Sequence, residues 1–207
     1  MSCETLRNGL DLSCGNIVKN YYQQAVLVNR ADVLNKQILT STVSIEDVYE
    51  CRYKVIFNLK PDLHGFLFST SENSTTIFGV VQKSVINGIP QYLHSVTINI
   101  LGVSEMVKCT LKQLDYADYF VALQMYDGTV EVFGFEYGMT TDNYTYDAQN
   151  SGGGAIIKLQ SLQDALEDEL PFIYEGGADD FDNLFEDVVF VPHGDFNDDF
   201  NNDFNNY

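Results

Sequence analysis

The sequence predicts a mainly β fold: an antiparallel β-sandwich or barrel with one packed α-helix at about residues 104–116, plus an acidic C-terminal extension. Three observations carry this reading. VYECRYKVIFNL (Val48–Leu59) alternates, with Tyr49, Cys51, Tyr53 and Val55 on one side and Glu50, Arg52 and Lys54 on the other, the pattern of a strand with one wet face. Asn87-Gly88 and Asp127-Gly128 are hairpin signals between β-rich arms, because these residue types tolerate positive φ. A convincing helical period occurs in one segment, so helices do not alternate with strands and a doubly wound parallel sheet is disfavoured.

Residues 1–22 form a polar N-terminal arm, and a β domain follows over 23–174. AVLVNR (Ala25–Arg30) is a short apolar run. TTIFGVVQ (Thr75–Gln82) and QYLHSVTINIL (Gln91–Leu101) are strands rich in β-branched residues. The period then changes: Val103, Met106, Val107, Leu111 and Leu114 recur at three and four, behind Ser104 as a cap. YFVALQMYDGTVEVFGFEYGM (Tyr119–Met139) gives two arms around Asp127-Gly128. Thr141–Ser151 reads as a polar loop, and Gly152-Gly153-Gly154 leads into AIIKLQ as the final core strand. SLQDALEDELP (Ser161–Pro171) has helical spacing that Pro171 ends. Residues 175–207 are the acidic, Phe-spaced extension.

Of 207 residues, 45% are hydrophobic, enough for a real core. The net charge of −19 is unevenly placed: residues 159–207 hold 14 acids and no Lys or Arg. Gripping nucleic acid through phosphates needs those cations, so this chain is expected to repel DNA at close range rather than hold it. There is no run of about 18 apolar residues and no basic-then-apolar leader, so neither a membrane anchor nor a secretory signal is expected. Cys3, Cys14, Cys51 and Cys109 include no C-x-x-C pair, which disfavours a zinc site and favours reduced thiols; a Cys3–Cys14 bridge is the alternative.

No catalytic, cofactor or metal motif stands out. His64 lies in a turn-like PDLHGF, His94 in a strand pattern at an edge or half-buried position, and His193 in the extension, none beside a nucleophile in a recognisable arrangement. A phosphate loop would lead into a helix, whereas Gly152–Gly154 leads into a strand. The acid runs, including Glu167-Asp168-Glu169, read as solvated or partner-facing charge. DFNDDFNNDFNNY (Asp195–Tyr207) has oxygens for calcium but lacks the inner Gly and terminal Glu of a calcium loop. Its regular phenylalanines fit a linear docking segment better, kept extended by its acids and anchored by its aromatics. Phe181, Phe185, Phe190, Phe196, Phe200 and Phe204 are the expected partner-binding anchors. A different class, a carbohydrate- or surface-binding β-sandwich, would use Tyr137, Tyr144 and Tyr146.

One combination resembles a known family. The strand QYLHSVTINIL leads to an amphipathic helix (Val103–Tyr116), then to a hairpin ending GTVEVFGFEYGM with glycines at 128, 134 and 138, then to GGGAIIKLQS. This order is similar to that of the small β-sandwich or β-barrel proteins, each with one helix on the sheet, from which tailed bacteriophages build tail tubes and tail hubs. Cys14-Gly15 and the following VLVNRADV also resemble tail-tube-like virion proteins of phages infecting Bacteroidota, the crAss-like group included. The resemblance covers about residues 10–175; the extension after Glu175 departs from it. It implies a non-enzymatic structural protein of the virion tail, assembled in the host cytoplasm without a membrane anchor. Its partners would be copies of itself in a homo-oligomeric ring, a hexamer, together with neighbouring tail or connector proteins and the genomic DNA that passes through ungripped.

Overall fold

The computed structural model describes residues 22–45, 47–69, 77–100, 105–147, 154–176 and 181–184. Its elements in chain order are β1 (Tyr22–Asn29), β2 (Val33–Ile45), β3 (Asp47–Leu59), β4 (Phe66–Ser69), β5 (Ile77–Ile86), β6 (Ile89–Ile100), α1 (Glu105–Leu114), β7 (Tyr119–Met125), β8 (Val130–Phe133), β9 (Met139–Asp147), β10 (Gly154–Ser161) and β11 (Phe172–Tyr174). Among the described residues the chain is mainly β with one α-helix, as its alternation and turn signals require. The strands join one open sheet in the order β2-β3-β11-β8-β7-β9-β10-β6-β5, with β1 paired to β7 and to β4. The pairings are antiparallel except β11 on β3, where Ile173 lies opposite Lys54 in parallel register and makes the sheet mixed.

Two cores lie on opposite faces of a central wall made by β1, β7 and β8. Side chains alternate across each strand. Ala25 and Leu27 of β1, with Tyr119, Val121 and Leu123 of β7, enter the first core, which β5, β6, β9, β10 and α1 complete. Val26 and Val28, with Phe120 and Ala122, enter the second, which β3 and β11 complete. That is why AVLV and YFVAL are continuous apolar runs: a strand buried on both faces has no wet side to mark with polar residues. Aromatic rings fill the second core, with Phe57 4.7 Å from Phe120 edge-on and 4.9 Å from Tyr174, and Phe135 5.5 Å from Phe172. Such pairs contribute about 0.5–1.5 kcal/mol each beyond their burial.

The helix seals the first core with Leu111 and Leu114, and its last turn is tied to β9 where Thr141 Oγ1 donates to Leu114 O at 3.1 Å. The β5–β6 turn places Asn87 at φ 53° and Gly88 at φ 83°, with Ile86 opposite Ile89, a two-residue hairpin of the kind Asn-Gly favours. At the β7–β8 turn, Gly128 alone takes positive φ (84°), and its N–H donates to Met125 O at 3.0 Å.

Several expectations are corrected. Thr141–Ser151 is not a polar loop throughout: β9 runs to Asp147 and pairs with β10 from Met139 opposite Ser161 to Asp147 opposite Gly154. Its Thr and Tyr residues suit a pleated surface although they are polar. Ser161–Pro171 is not a helix: Ser161 ends β10 and residues 162–171 form turns and bends, because Glu167 spends its main-chain groups on Tyr92, giving and receiving hydrogen bonds at 3.0 and 2.8 Å. AIIKLQ is not the last core strand, since β11 follows and joins β8 to β3. His94 is not at an edge or half-buried: β6 lies between β5 and β10, and the imidazole is fully enclosed. Tyr22, placed in the arm by the sequence, begins β1. The domain also runs past residue 174, since Phe181 and Leu184 close one side of the second core.

Candidate functional site

The connection between β8 and β9 is GFEYG, Gly134–Gly138, and it is where most of the interior polar chemistry gathers. Gly134 and Gly138 both take positive φ, 68° and 92°. A Cβ on Gly134 would stand 2.3 Å from Met139 Cγ, and one on Gly138 would stand 2.6 Å from Arg30 Cδ. So the glycines at 128, 134 and 138 share one physical cause, a left-handed backbone that side chains resist.

A turn sunk this deep must have its main-chain groups satisfied from elsewhere. Glu167 takes the donors: its Oε2 accepts from Glu136 N at 2.8 Å and its Oε1 from Tyr137 N at 3.0 Å, and Gly138 N–H adds to the set. His94 Nδ1 accepts from Gly134 N at 3.0 Å. Because Nδ1 accepts, Nε2 carries the proton and donates to Glu169 O at 3.1 Å. Two cations take the carbonyls. Lys36 Nζ donates to Phe135 O at 2.8 Å and to Glu136 O at 3.2 Å, and lies 5.0 Å above the Phe135 ring. Arg30 donates to Glu136 O at 3.1 Å and to Tyr137 O.

Burial sets the electrostatics of this clasp. It pushes the His94 imidazole down to about 4, so the ring is neutral near neutral pH. It also pushes the Glu167 carboxyl up, against the backbone N–H groups that favour its charged form. Glu136 is raised for the same reason, opposed by the Asp168 N–H it accepts, and Lys36 is lowered by burial and by Arg30. Both oxygens of Glu167 and both nitrogens of His94 are committed to main chain. What this arrangement does chemically is hold a strained turn and lock β6, β8, β9 and the 161–171 segment together.

The second feature is an apolar surface. Among the described residues β5 hydrogen-bonds to β6 alone, so its other edge is open. Phe78 and Val80 are exposed along it, Val85 (64%) and Ile89 (61%) stand out at the hairpin tip, and Ile86 is exposed beside them. Exposed apolar side chains beside an open strand edge are the features that an interaction surface uses.

Of the expected anchors, Phe181 is a correction. It is fully buried in its own chain's second core, because Gly65 N donates to Leu184 O at 2.7 Å and draws the segment onto β1, so it is not free for a partner. Phe185, Phe190, Phe196, Phe200 and Phe204 lie outside the described residues. Tyr137, Tyr144 and Tyr146 are all partly exposed; Tyr137 donates to Asp168 Oδ2 at 3.1 Å and Lys108 lies 5.6 Å over the Tyr146 ring. His64 is exposed. Sequence reasoning missed Glu167 and His94 as buried polar pins. Glu167 sits in an acid run that reads as solvated, and its partners Glu136 and Tyr137 lie about thirty residues upstream. The one legible signal was the Gly134–Gly138 pair, which marks a turn needing such partners.

Among the described residues no helix is long and apolar enough to cross a membrane, and no group of three or more His, Cys, Asp or Glu side chains could hold a metal ion. Comparisons with protein families, with curated proteins and with solved structures return no match.

Proposed function

We propose that this chain is a structural subunit of a bacteriophage tail, a tail-tube or tail-hub protein that assembles with copies of itself into a ring around a DNA conduit. The observation that carries the reading is the open sheet with two unlike ends, β2 at one and the exposed apolar β5–β6 hairpin at the other. Unlike surfaces meet head to tail, and head-to-tail contacts generate a ring when the rotation between neighbours closes. Pairing between subunits also removes the hazard of an unpaired strand edge. The net charge of −19 suits a lumen that must let phosphates slide past. The order of strand, helix, glycine-rich hairpin and final strands supports the tail family in particular, through the resemblance described above.

Electron-microscopic class averages of the purified full-length chain test this. Closed rings, six-fold by the resemblance, are expected, and Val85→Asp with Ile89→Asp should leave a folded monomer without rings. A wild-type chain that stays monomeric at high concentration ends the reading.

A further inference from the structure

The tetrapeptide Asp-Phe-(Asn/Asp)-(Asn/Asp) occurs four times, at 180–183, 195–198, 199–202 and 203–206. The fold shows how it receives the first. Phe181 is fully buried, while Asp182 and Asn183 stay exposed beside it. Leu184 O is held by Gly65 N, at a position where a Cβ would stand 2.5 Å from Val26 and 2.9 Å from Leu184 O. This domain therefore reads the motif as an apolar plug with wet flanks.

Directly alongside lies a groove of about 620 Å³, within the range that encloses a few side chains. Its apolar lining is Ile56, Phe57, Leu59, Leu63, Tyr174 and Leu184, with Ile56 and Leu63 exposed. The rim sets Lys60, whose Nζ donates to Ala31 O at 2.6 Å, and His64 against Asp62 and Glu175, and Glu175 is paired with Lys54 at 2.7 Å. Asn183 and Leu184 belong to the groove wall, so the chain continues from its lip. Asp195 follows eleven residues later. A span of that length reaches at most about 40 Å. Tethers that short hold a segment at about millimolar effective concentration.

We propose that this groove docks the downstream Asp-Phe-Asn tetrapeptides of the same chain. One of Phe196, Phe200 or Phe204 lies on Leu59 and Leu63, and the flanking acids meet Lys60 and His64 at the rim. Three copies in register give one groove three interchangeable occupants. The proposal is independent of the ring reading, since it concerns the single chain.

Hydrogen exchange followed by mass spectrometry tests it on the full-length chain and on the variant Phe196→Ala, Phe200→Ala, Phe204→Ala. Amides over residues 60–64 should exchange about tenfold faster in the variant, the ratio of a millimolar effective concentration to a contact of ~0.1 mM. A synthetic peptide of Asp195–Tyr207 added to the variant should restore slow exchange saturably, and Leu63→Ser in the otherwise unchanged chain should abolish the protection. Unchanged protection over 119–123 in each variant shows that the fold is intact. Equal exchange at 60–64 in the wild type and the triple variant overturns the proposal. Protection that rises with protein concentration overturns it too, because the occupant is then a second copy's segment.

Discussion

The β1–β7 wall and the β5–β6 hairpin are written in nearly the same residues and meet opposite fates. AVLV and YFVAL are buried on both faces. IFGVV at the start of β5 is as apolar, yet Phe78 and Val80 are exposed, and the tip adds Val85, Ile86 and Ile89. The difference is in the neighbours. β1 has β4 and β7 on its two edges and a core on each face, whereas among the described residues β5 has β6 on one edge and a core on one face. An apolar run by itself therefore does not report whether its own chain covers it.

The sharpest way to break this comparison is to delete one ring on each side. Phe120→Ala opens the aromatic cluster of the second core and should cost about 4 kcal/mol in denaturant unfolding. Phe78→Ala, at an exposed site, should cost under about 1 kcal/mol; equal losses would mean the two regions are not different in kind. The turns offer the next contrast. Gly134→Ala places a methyl against Met139 at positive φ and should cost about 3 kcal/mol. Gly88→Ala, also at positive φ but with nothing within 4 Å, should cost only about 1 kcal/mol.

The clasp makes the interior sensitive to acid. His94 is depressed to about 4 in the fold from an ordinary 6.5, so between those values the unfolded chain binds a proton that the fold refuses. Its contribution is complete above pH 6.5 and is lost as pH falls towards 4, by up to about 3 kcal/mol. Glu136 and Glu167, both raised, work in the opposite sense, because their protonation at low pH relieves buried charge. Comparing the wild type with His94→Gln isolates the imidazole. The stability gap between them should shrink by about 3 kcal/mol from pH 7 to pH 4, and a constant gap would refute the assignment. Smallest of all, Ile89→Ser at the hairpin tip should change monomer stability by no more than about 0.5 kcal/mol, because the side chain loses little burial.

Legibility followed the range of the forces involved. Asn87-Gly88, the helix over 105–114 and the strands around Asp127-Gly128 were readable because their signals lie within a few residues. β9 was not, because Thr, Asn and Tyr look like loop until β10 pairs with them. The 161–171 segment misled in the other direction: its leucines are spaced for a helix, but the Tyr92 main chain, some seventy residues upstream, takes the hydrogen bonds that a helix would need. β11 is three residues long and exists through its pairing with β3 and β8.

Residue chemistry alone settled two of the turns, because tolerance of positive φ belongs to the residue: Asn87, Gly88 and Gly128 sit where the backbone must bend left. It also settled that the chain is β-rich, since alternation and β-branching act strand by strand. Which apolar faces became core, and that Glu167 and Phe181 went inside while Val85 and Ile89 stayed out, were decided by packing. Burial depends on what arrives from elsewhere in the chain. Glu167 is tolerable inside because the Glu136–Gly138 turn brings N–H groups to its carboxylate, and no local window of sequence contains both.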